Sequence, residues 1–157
     1  MKTIHAGRVA AALLTMAIAS QVRAEETPGA YDAKLAAALG ADDYGMRSYV
    51  FVLLKTGPAD IADEARRKEL FAGHFANMTR LAEQGALVLA GPLDDDGGKR
   101  GLFILNAPTI DVAKEMVAGD PAVAAGIFEA EYSGFYGSAA LMQVNAVHKM
   151  IQRQKIE

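Results

Sequence analysis

Three short apolar runs without alternation of apolar and polar residues constrain the fold of this 157-residue chain most strongly. They lie at residues 49–55 (YVFVLLK), 86–90 (ALVLA) and 101–106 (GLFILN), and their composition indicates β-strands. A strand that is apolar on both faces must be covered on both faces, because large exposed apolar patches are rare in soluble monomers. We therefore expect a sheet with helices on one side and a second cover on the other.

Segments with helical spacing separate these strands. The longer one spans residues 63–84, and its apolar arc also contains His74 and Arg67. The shorter one spans residues 109–118 and is followed by a helical turn at residues 120–127. These patterns predict two main helices that bury one face each.

A long final strand, predicted over residues 128–144, completes the order β-α-β-β-α-β. This order is a ferredoxin-like α+β arrangement, in which both helices pack on one face of an antiparallel sheet. The simplest cover for the other face is the same sheet of a second copy. We therefore predict a face-to-face homodimer.

The first 24 residues have the composition of a secretory signal peptide. Lys2 and Arg8 give a positive start, residues 9–19 form an uncharged, mainly apolar run, and Ala24 ends a sequence that suits signal peptidase. The alternative is a membrane anchor, but so short a run cannot cross about 30 Å of hydrocarbon. We expect cleavage after Ala24, a periplasmic or secreted protein, and no stable membrane insertion of the mature chain.

The composition excludes several classes of protein. The chain has no cysteine, so disulfides, thiolate metal sites and cysteine nucleophiles are excluded. Its 16 Lys and Arg against 19 Asp and Glu argue against a dedicated nucleic-acid binder, which needs a basic surface. After the signal peptide we expect a lead-in extension at residues 25–45, a domain at residues 46–144 and a basic tail at residues 145–157.

His74 is the one histidine within the predicted domain, because His5 leaves with the signal peptide and His148 lies in the tail. A titratable group on an apolar helix face either has a buried partner or lines a cleft. Asp120 precedes a proline in a typical N-cap pattern, yet a capping carboxylate keeps lone pairs that could orient His74. A core histidine and a purely capping aspartate are therefore the alternatives to a catalytic His–Asp pair.

Motifs for metals and common cofactors are missing from the sequence. The Asp-rich turn at residues 94–98 lacks the ligand spacing of a calcium loop, and one histidine with scattered carboxylates does not make a metal site. The chain also lacks a nucleotide-binding glycine fingerprint and a serine-nucleophile motif. We expect no metal and no cofactor.

Residues 49–144 resemble the YciI-like, or YCII-related, family. The matching segments are YVFVLLKTGP, GHFANMTRLAEQG, LVLAGPL, RGLFILNAPT and GDPAVAAGIFEAEYSGFYGSAAL. The extension before residue 49 is similar to that of exported members of the family. The resemblance implies a dimeric α/β barrel and a His–Asp pair in a cleft, which corresponds here to His74 and Asp120.

The resemblance also implies a chemistry. One relative is a dehydrochlorinase that acts on a chlorinated hydroxyquinol, and muconolactone isomerases share the barrel type. Both imply cofactor-independent proton transfer on a small cyclic or aromatic substrate, by a lyase or an isomerase. The alternative is a non-catalytic periplasmic protein that binds a small molecule or acts as an accessory protein. The expected substrate contacts are Asn77, Gly91, Pro92, Arg100, Tyr132 and Tyr136.

Overall fold

The computed structural model describes residues 29–94 and 97–154. The predicted signal peptide, residues 1–24, lies outside the described residues. The chain divides into two compact units, Met1–Tyr31 and Asp32–Glu157, and the described residues 29–31 of the first unit are exposed. None of the described helices combines the length and the apolar character that a membrane span requires.

The second unit contains the helices and strands of the described residues. In chain order they are α1 (Ala33–Leu39), β1 (Met46–Thr56), α2 (Glu64–Glu83), β2 (Leu87–Pro92), β3 (Lys99–Leu105), α3 (Ile110–Ala118), α4 (Pro121–Ala124), β4 (Phe128–Ser138), a 3₁₀-helix (Ala139–Gln143) and α5 (Val144–Ile151).

The four strands form one antiparallel sheet in the order β2-β3-β1-β4. This order confirms the predicted ferredoxin-like α+β fold. Alternate residues of β1 and β3 form the main core with α2 and α3, because side chains along a strand alternate between the two faces of the sheet. The buried members of this core are Val50, Val52, Leu54, Leu81, Leu87, Phe103, Leu105, Ala107, Ala113 and Val117.

The other face of the sheet carries a smaller buried cluster of Tyr49, Val88 and Ile104. Leu141 and Met142 of the 3₁₀-helix pack against this cluster. The chain therefore covers part of the second face itself, which the strand pattern did not predict. Other apolar side chains on this face, among them Phe51, Leu89 and Leu102, are only partly buried.

The predicted final strand over residues 128–144 is wrong in its last part, because β4 ends at Ser138. The Ser138 hydroxyl accepts a hydrogen bond from Ala140 N at 3.3 Å and so caps the 3₁₀-helix. The sequence AALMQ that follows has no β-branched residue and contains good helix formers. The predicted tail then forms α5, where Asn145 Nδ2 donates to Leu87 O at 2.7 Å.

The register of β2 also differs from simple alternation. Leu87 lies opposite Leu105, whereas Leu89 lies opposite Ile104, because a bulge at Val88 shifts the pairing. Leu87 therefore packs in the main core and Leu89 on the second face, whereas residues two positions apart in a regular strand lie on the same face.

The lead-in helix α1 begins after Asp32 and ends at Gly40, whose φ of +65° suits glycine. The Arg47 guanidinium of β1 donates to Leu39 O at 2.7 Å and to Asn106 Oδ1 at 2.7 Å. Arg47 thus ties the end of α1 to the sheet.

Candidate active site

His74 lies on the buried face of α2. The helix begins after Asp63, whose carboxylate accepts hydrogen bonds from Ala65 N at 2.9 Å and Arg66 N at 3.1 Å. The buried residues of the helix recur with helical spacing, and they are Leu70, His74, Asn77 and Leu81. The His74 side chain keeps 9% of its surface exposed.

Asp120 reaches His74 from the start of α4. Its Oδ1 accepts from Ala122 N at 2.9 Å and from Val123 N at 3.4 Å, as an N-cap does. Its Oδ2 lies 2.6 Å from His74 Nδ1, and its side chain is fully buried. The capping and the pairing interpretations of Asp120 therefore hold together, because each uses a different oxygen.

A glycine permits this contact between α2 and α4. A Cβ atom built at Gly73 would lie 2.8 Å from Cγ of Pro121, closer than real Cβ contacts allow. Gly73 precedes His74, and Pro121 follows Asp120. The absence of a side chain at Gly73 therefore lets the two helices approach until the imidazole meets the carboxylate.

Electrostatics favour an ionised Asp120. Burial raises the pKa of its carboxyl. Two effects outweigh burial and hold the pKa below the ordinary value: the hydrogen bond and charge of His74, and the hydrogen bonds from the amides of Ala122 and Val123. An ionised carboxylate can only accept a hydrogen bond, so Nδ1 of His74 carries the proton in this pair. In the neutral imidazole, Nε2 is then the basic nitrogen.

The imidazole is enclosed by four phenylalanine rings. The centroids of Phe71, Phe75, Phe103 and Phe128 lie between 5.4 and 6.5 Å from that of His74. Within residues 29–94 and 97–154, no side chain or backbone group is hydrogen-bonded to Nε2. The nitrogen opposite Asp120 is therefore available to a ligand.

A cavity of about 360 Å³ lies next to this enclosure, at the end of the sheet where β1 ends and β3 and β4 begin. His74 itself does not line it, but the rings of Phe71 and Phe128 line the cavity and also contact the imidazole. These two rings therefore form the wall between His74 and the cavity. Its polar lining comes from Thr56, Asp60, Arg67 and Arg100.

A second cavity, of about 390 Å³, lies between α2, β2 and α5. Phe75, Met78 and Leu87 contribute to its apolar lining, and His148 and Lys149 of α5 also line it. Of the four phenylalanine rings around His74, only that of Phe75 lines this second cavity.

Of the expected substrate contacts, Arg100 lines the cavity beside His74. Asn77 is buried about one turn further along α2, where its Oδ1 accepts from Arg80 Nη2 at 2.7 Å. Tyr132 packs against the main core on the face covered by helices, and burial raises the pKa of its hydroxyl. Neither Asn77 nor Tyr132 lines either cavity.

The structure does not bring Gly91, Pro92 or Tyr136 to His74. Gly91 and Pro92 are the last two residues of β2, an edge strand that tolerates proline, and they line neither cavity. Tyr136 is eight residues along β4 from Phe128, or about 27 Å at the usual rise per residue. Its hydroxyl donates to Asp42 Oδ2.

Arg67 is a further residue of this site, although the sequence pattern did not identify it as one. Its guanidinium lies 5.9 Å from the centroid of the Phe71 ring, and its side chain lines the cavity. The signal was visible, because Arg67 was the charged residue within the apolar arc of the helix. The phenylalanine enclosure had no comparable signal, since its rings come from α2, β3 and β4.

Known proteins give this site a family context. A family model described as the YCII-related domain matches residues 49–133. An uncharacterized protein, YjpA of Bacillus subtilis (strain 168), is 30% identical over 84 residues, which are 54% of this chain and 88% of that protein. A solved structure of 5-chloro-2-hydroxyhydroquinone dehydrochlorinase from Burkholderia phenoliruptrix AC1100, in complex with 2,5-dihydroxybenzoquinone, matches with a TM-score of 0.37 and 22% identity, over 55% of this chain and 90% of that one. Because the family model spans more than half of its length, this chain belongs to the YCII-related family.

Proposed function

We propose that this protein is a lyase or isomerase in which His74 transfers a proton on a small cyclic or aromatic substrate. The observation that carries the proposal is the 2.6 Å contact between His74 Nδ1 and the fully buried Oδ2 of Asp120. A carboxylate held in this way fixes the imidazole tautomer and stabilises the imidazolium that forms when Nε2 accepts a proton.

The reaction follows from the groups present. Nε2 of His74 removes a proton from a ring carbon next to a carbonyl group, and the electron pair moves onto the carbonyl oxygen as an enolate. Where a ring double bond is conjugated with the enolate, the imidazolium returns the proton to the far carbon of that double bond, which gives an isomer. Alternatively, the enolate re-forms the carbonyl and expels an anion from the carbon next to the deprotonated one, and the imidazolium gives its proton to that anion or to water, which completes a lyase reaction. Asp120 is a positioning residue, because it acts on the substrate through His74. The proposed reaction is independent of a cofactor.

We place the substrate in the cavity of about 360 Å³, which is of the size that binds small molecules. Its wall of Phe71 and Phe128 suits a flat ring. Because these rings separate the cavity from His74, one of them turns aside when the substrate binds. Such a rotation is an ordinary side-chain motion.

Exchange of hydrogen for deuterium tests the proposal before the natural substrate is known. Small cyclic ketones and enol lactones are incubated with the protein in heavy water, and proton NMR follows the loss of signal beside the carbonyl group. We expect catalysed exchange with the wild-type protein and a loss of about 10²- to 10⁴-fold in His74→Gln. His148→Gln is the matched control, because His148 lies on α5 and not in the pair.

The outcome also decides between the proposed function and its alternative. Exchange that is equal in wild type and His74→Gln contradicts the proton-transfer mechanism. Binding of ring compounds without exchange supports instead a non-catalytic periplasmic binding or accessory protein that uses the same cavity.

Two further properties belong to the proposal. We propose that the chain is exported and cleaved after Ala24. Mass spectrometry of the protein isolated from a periplasmic fraction tests this, because cleavage removes the mass of the first 24 residues.

We also propose a homodimer formed through the second face of the sheet, because Phe51 and Leu102 on that face are only partly buried in one copy.

A further inference from the structure

We infer that the cavity beside His74 is an anion site and that its ligand is a small cyclic carboxylate. The inference rests on the proposed function, since it names the substrate class of the same site. It adds a recognition element, formed by the guanidinium groups of Arg67 and Arg100, that the His–Asp pair does not provide.

The cavity has more positive than negative charge in its lining. Arg67 and Arg100 line it together with one carboxylate, that of Asp60. Within the described ranges, neither arginine forms an ion pair with a carboxylate. Arg66, the neighbour of Arg67, differs in this respect, because its Nη1 lies 2.6 Å from Glu69 Oε2. Two guanidinium groups at one cavity thus remain available to an anion.

The two arginines come from separate elements that meet at this end of the sheet. Arg67 belongs to the first turns of α2, and Arg100 lies near the start of β3. A guanidinium group offers parallel N–H donors that match the two oxygens of a carboxylate. The net charge of the whole chain is −3, so an overall positive charge of the protein does not account for the two arginines at this cavity.

The apolar part of the lining specifies the rest of the ligand. The Arg67 guanidinium lies 5.9 Å from the centroid of the Phe71 ring, so a positive charge stands beside the aromatic wall. A ligand whose ring packs on Phe71 or Phe128 can therefore direct its carboxylate to the arginines. The opposite edge of its ring then faces the wall behind which His74 lies.

Calorimetric titration with benzoate and its neutral analogue benzamide tests this inference. We expect wild type to bind benzoate about tenfold more tightly than benzamide, with a preference that weakens as salt is added. Because both arginines are exposed to solvent, Arg67→Gln and Arg100→Gln should each weaken benzoate binding about twofold to fivefold and leave benzamide binding unchanged. Arg66→Gln, the matched control on the next residue, should change neither affinity.

The inference is overturned if benzoate binds no better than benzamide, if benzoate does not bind, or if Arg66→Gln weakens benzoate binding as much as Arg67→Gln does. A loss of benzoate binding in Lys149→Gln also overturns it, because Lys149 lines the other cavity. His74→Gln separates the two proposals. If this variant binds benzoate normally while its exchange equals that of wild type, the anion site stands and the proposed reaction fails. Circular dichroism confirms that each variant is folded.

Discussion

Two neighbouring helices share the carboxylate of Asp120, whose oxygens have different partners. Oδ1 accepts from the first amides of α4, and Oδ2 accepts from Nδ1 of His74 on α2. Asparagine at this position keeps a capping oxygen but replaces the second acceptor with an amide donor. The substitution Asp120→Asn therefore removes the charged acceptor of the Nδ1 proton and favours the tautomer in which Nδ1 accepts from the amide, while it largely preserves the cap.

The depressed pKa of Asp120 predicts how stability depends on pH. Since the pKa of this carboxyl is lower in the folded protein, the unfolded chain binds its proton at higher pH. The contribution to the free energy of unfolding is therefore complete above the ordinary aspartate value of about 3.9 and is lost as pH falls through the folded value. Urea denaturation across this range should show a difference between wild type and Asp120→Asn that shrinks as the solution becomes more acidic. A difference that stays constant with pH would contradict this account.

Much of the site chemistry was visible in single residues. The sequence pattern identified His74 on an apolar helix face and Asp120 before a proline, and the structure brings their side chains together. It did not identify Arg67 as a site residue. The position of Arg67 in the apolar arc is explained only by the cavity that its side chain lines. Tyr136 could not be judged from the sequence either, because its distance from His74 depends on the direction of β4.

The geometry of the pair depends on how two elements, α2 and α4, approach each other. Gly73 of α2 faces Pro121 of α4 at a distance that leaves no room for a methyl group. The bounds of α2 and α3 were predicted to within one residue, because the capping residues Asp63 and Thr109 mark them, whereas α4 ends three residues before the predicted end of its helical turn. The close approach of α2 and α4 could not be predicted, because it depends on packing between segments that are distant in the sequence.

Gly73→Ala should separate the helices and impair the pair. Overpacking costs about 1 to 3 kcal/mol, and the better helix propensity of alanine returns about 1 kcal/mol, so the loss of stability in urea denaturation should be small. The rate of catalysed hydrogen–deuterium exchange should fall more than this small loss of stability explains, because Asp120 moves away from His74. Adding Pro121→Ala removes the Cγ atom in the clash and should restore exchange. If Gly73→Ala exchanges as fast as wild type, close approach of the helices is not required.

The end of β4 shows where strand patterns fail. Five of the six residues 139–144 are apolar, which suits a buried strand and a buried helical turn equally well. The cap by Ser138 and the packing of Leu141 and Met142 on the second face select the 3₁₀-helix. That choice depends on contacts with residues far away in the sequence, so local composition could not predict it.

At the scale of the whole molecule, the proposed homodimer depends on the second face of the sheet. The 3₁₀-helix covers part of this face, and the partly buried apolar side chains form the remaining surface. Two such surfaces can pack face to face through a twofold axis, as the strand pattern predicts. The topology within one chain was predictable from the order of its elements, whereas the assembly stays a prediction.

Phe51→Glu tests the homodimer. Light scattering after size exclusion should give a dimer for wild type at micromolar concentration and a monomer for Phe51→Glu, because the interface would bury a charge without a partner. Ala76→Glu, on the exposed side of α2, is the matched control and should remain dimeric. A monomeric wild-type protein would contradict the proposed assembly.

A crystal structure with bound benzoate tests most directly the claim that His74 meets the substrate. We predict the carboxylate beside Arg67 and Arg100, the ring of Phe71 or Phe128 turned aside, and a ring carbon within about 3.5 Å of His74 Nε2. Benzoate bound beside α5, or bound with both phenylalanine rings still between it and the imidazole, would contradict the account.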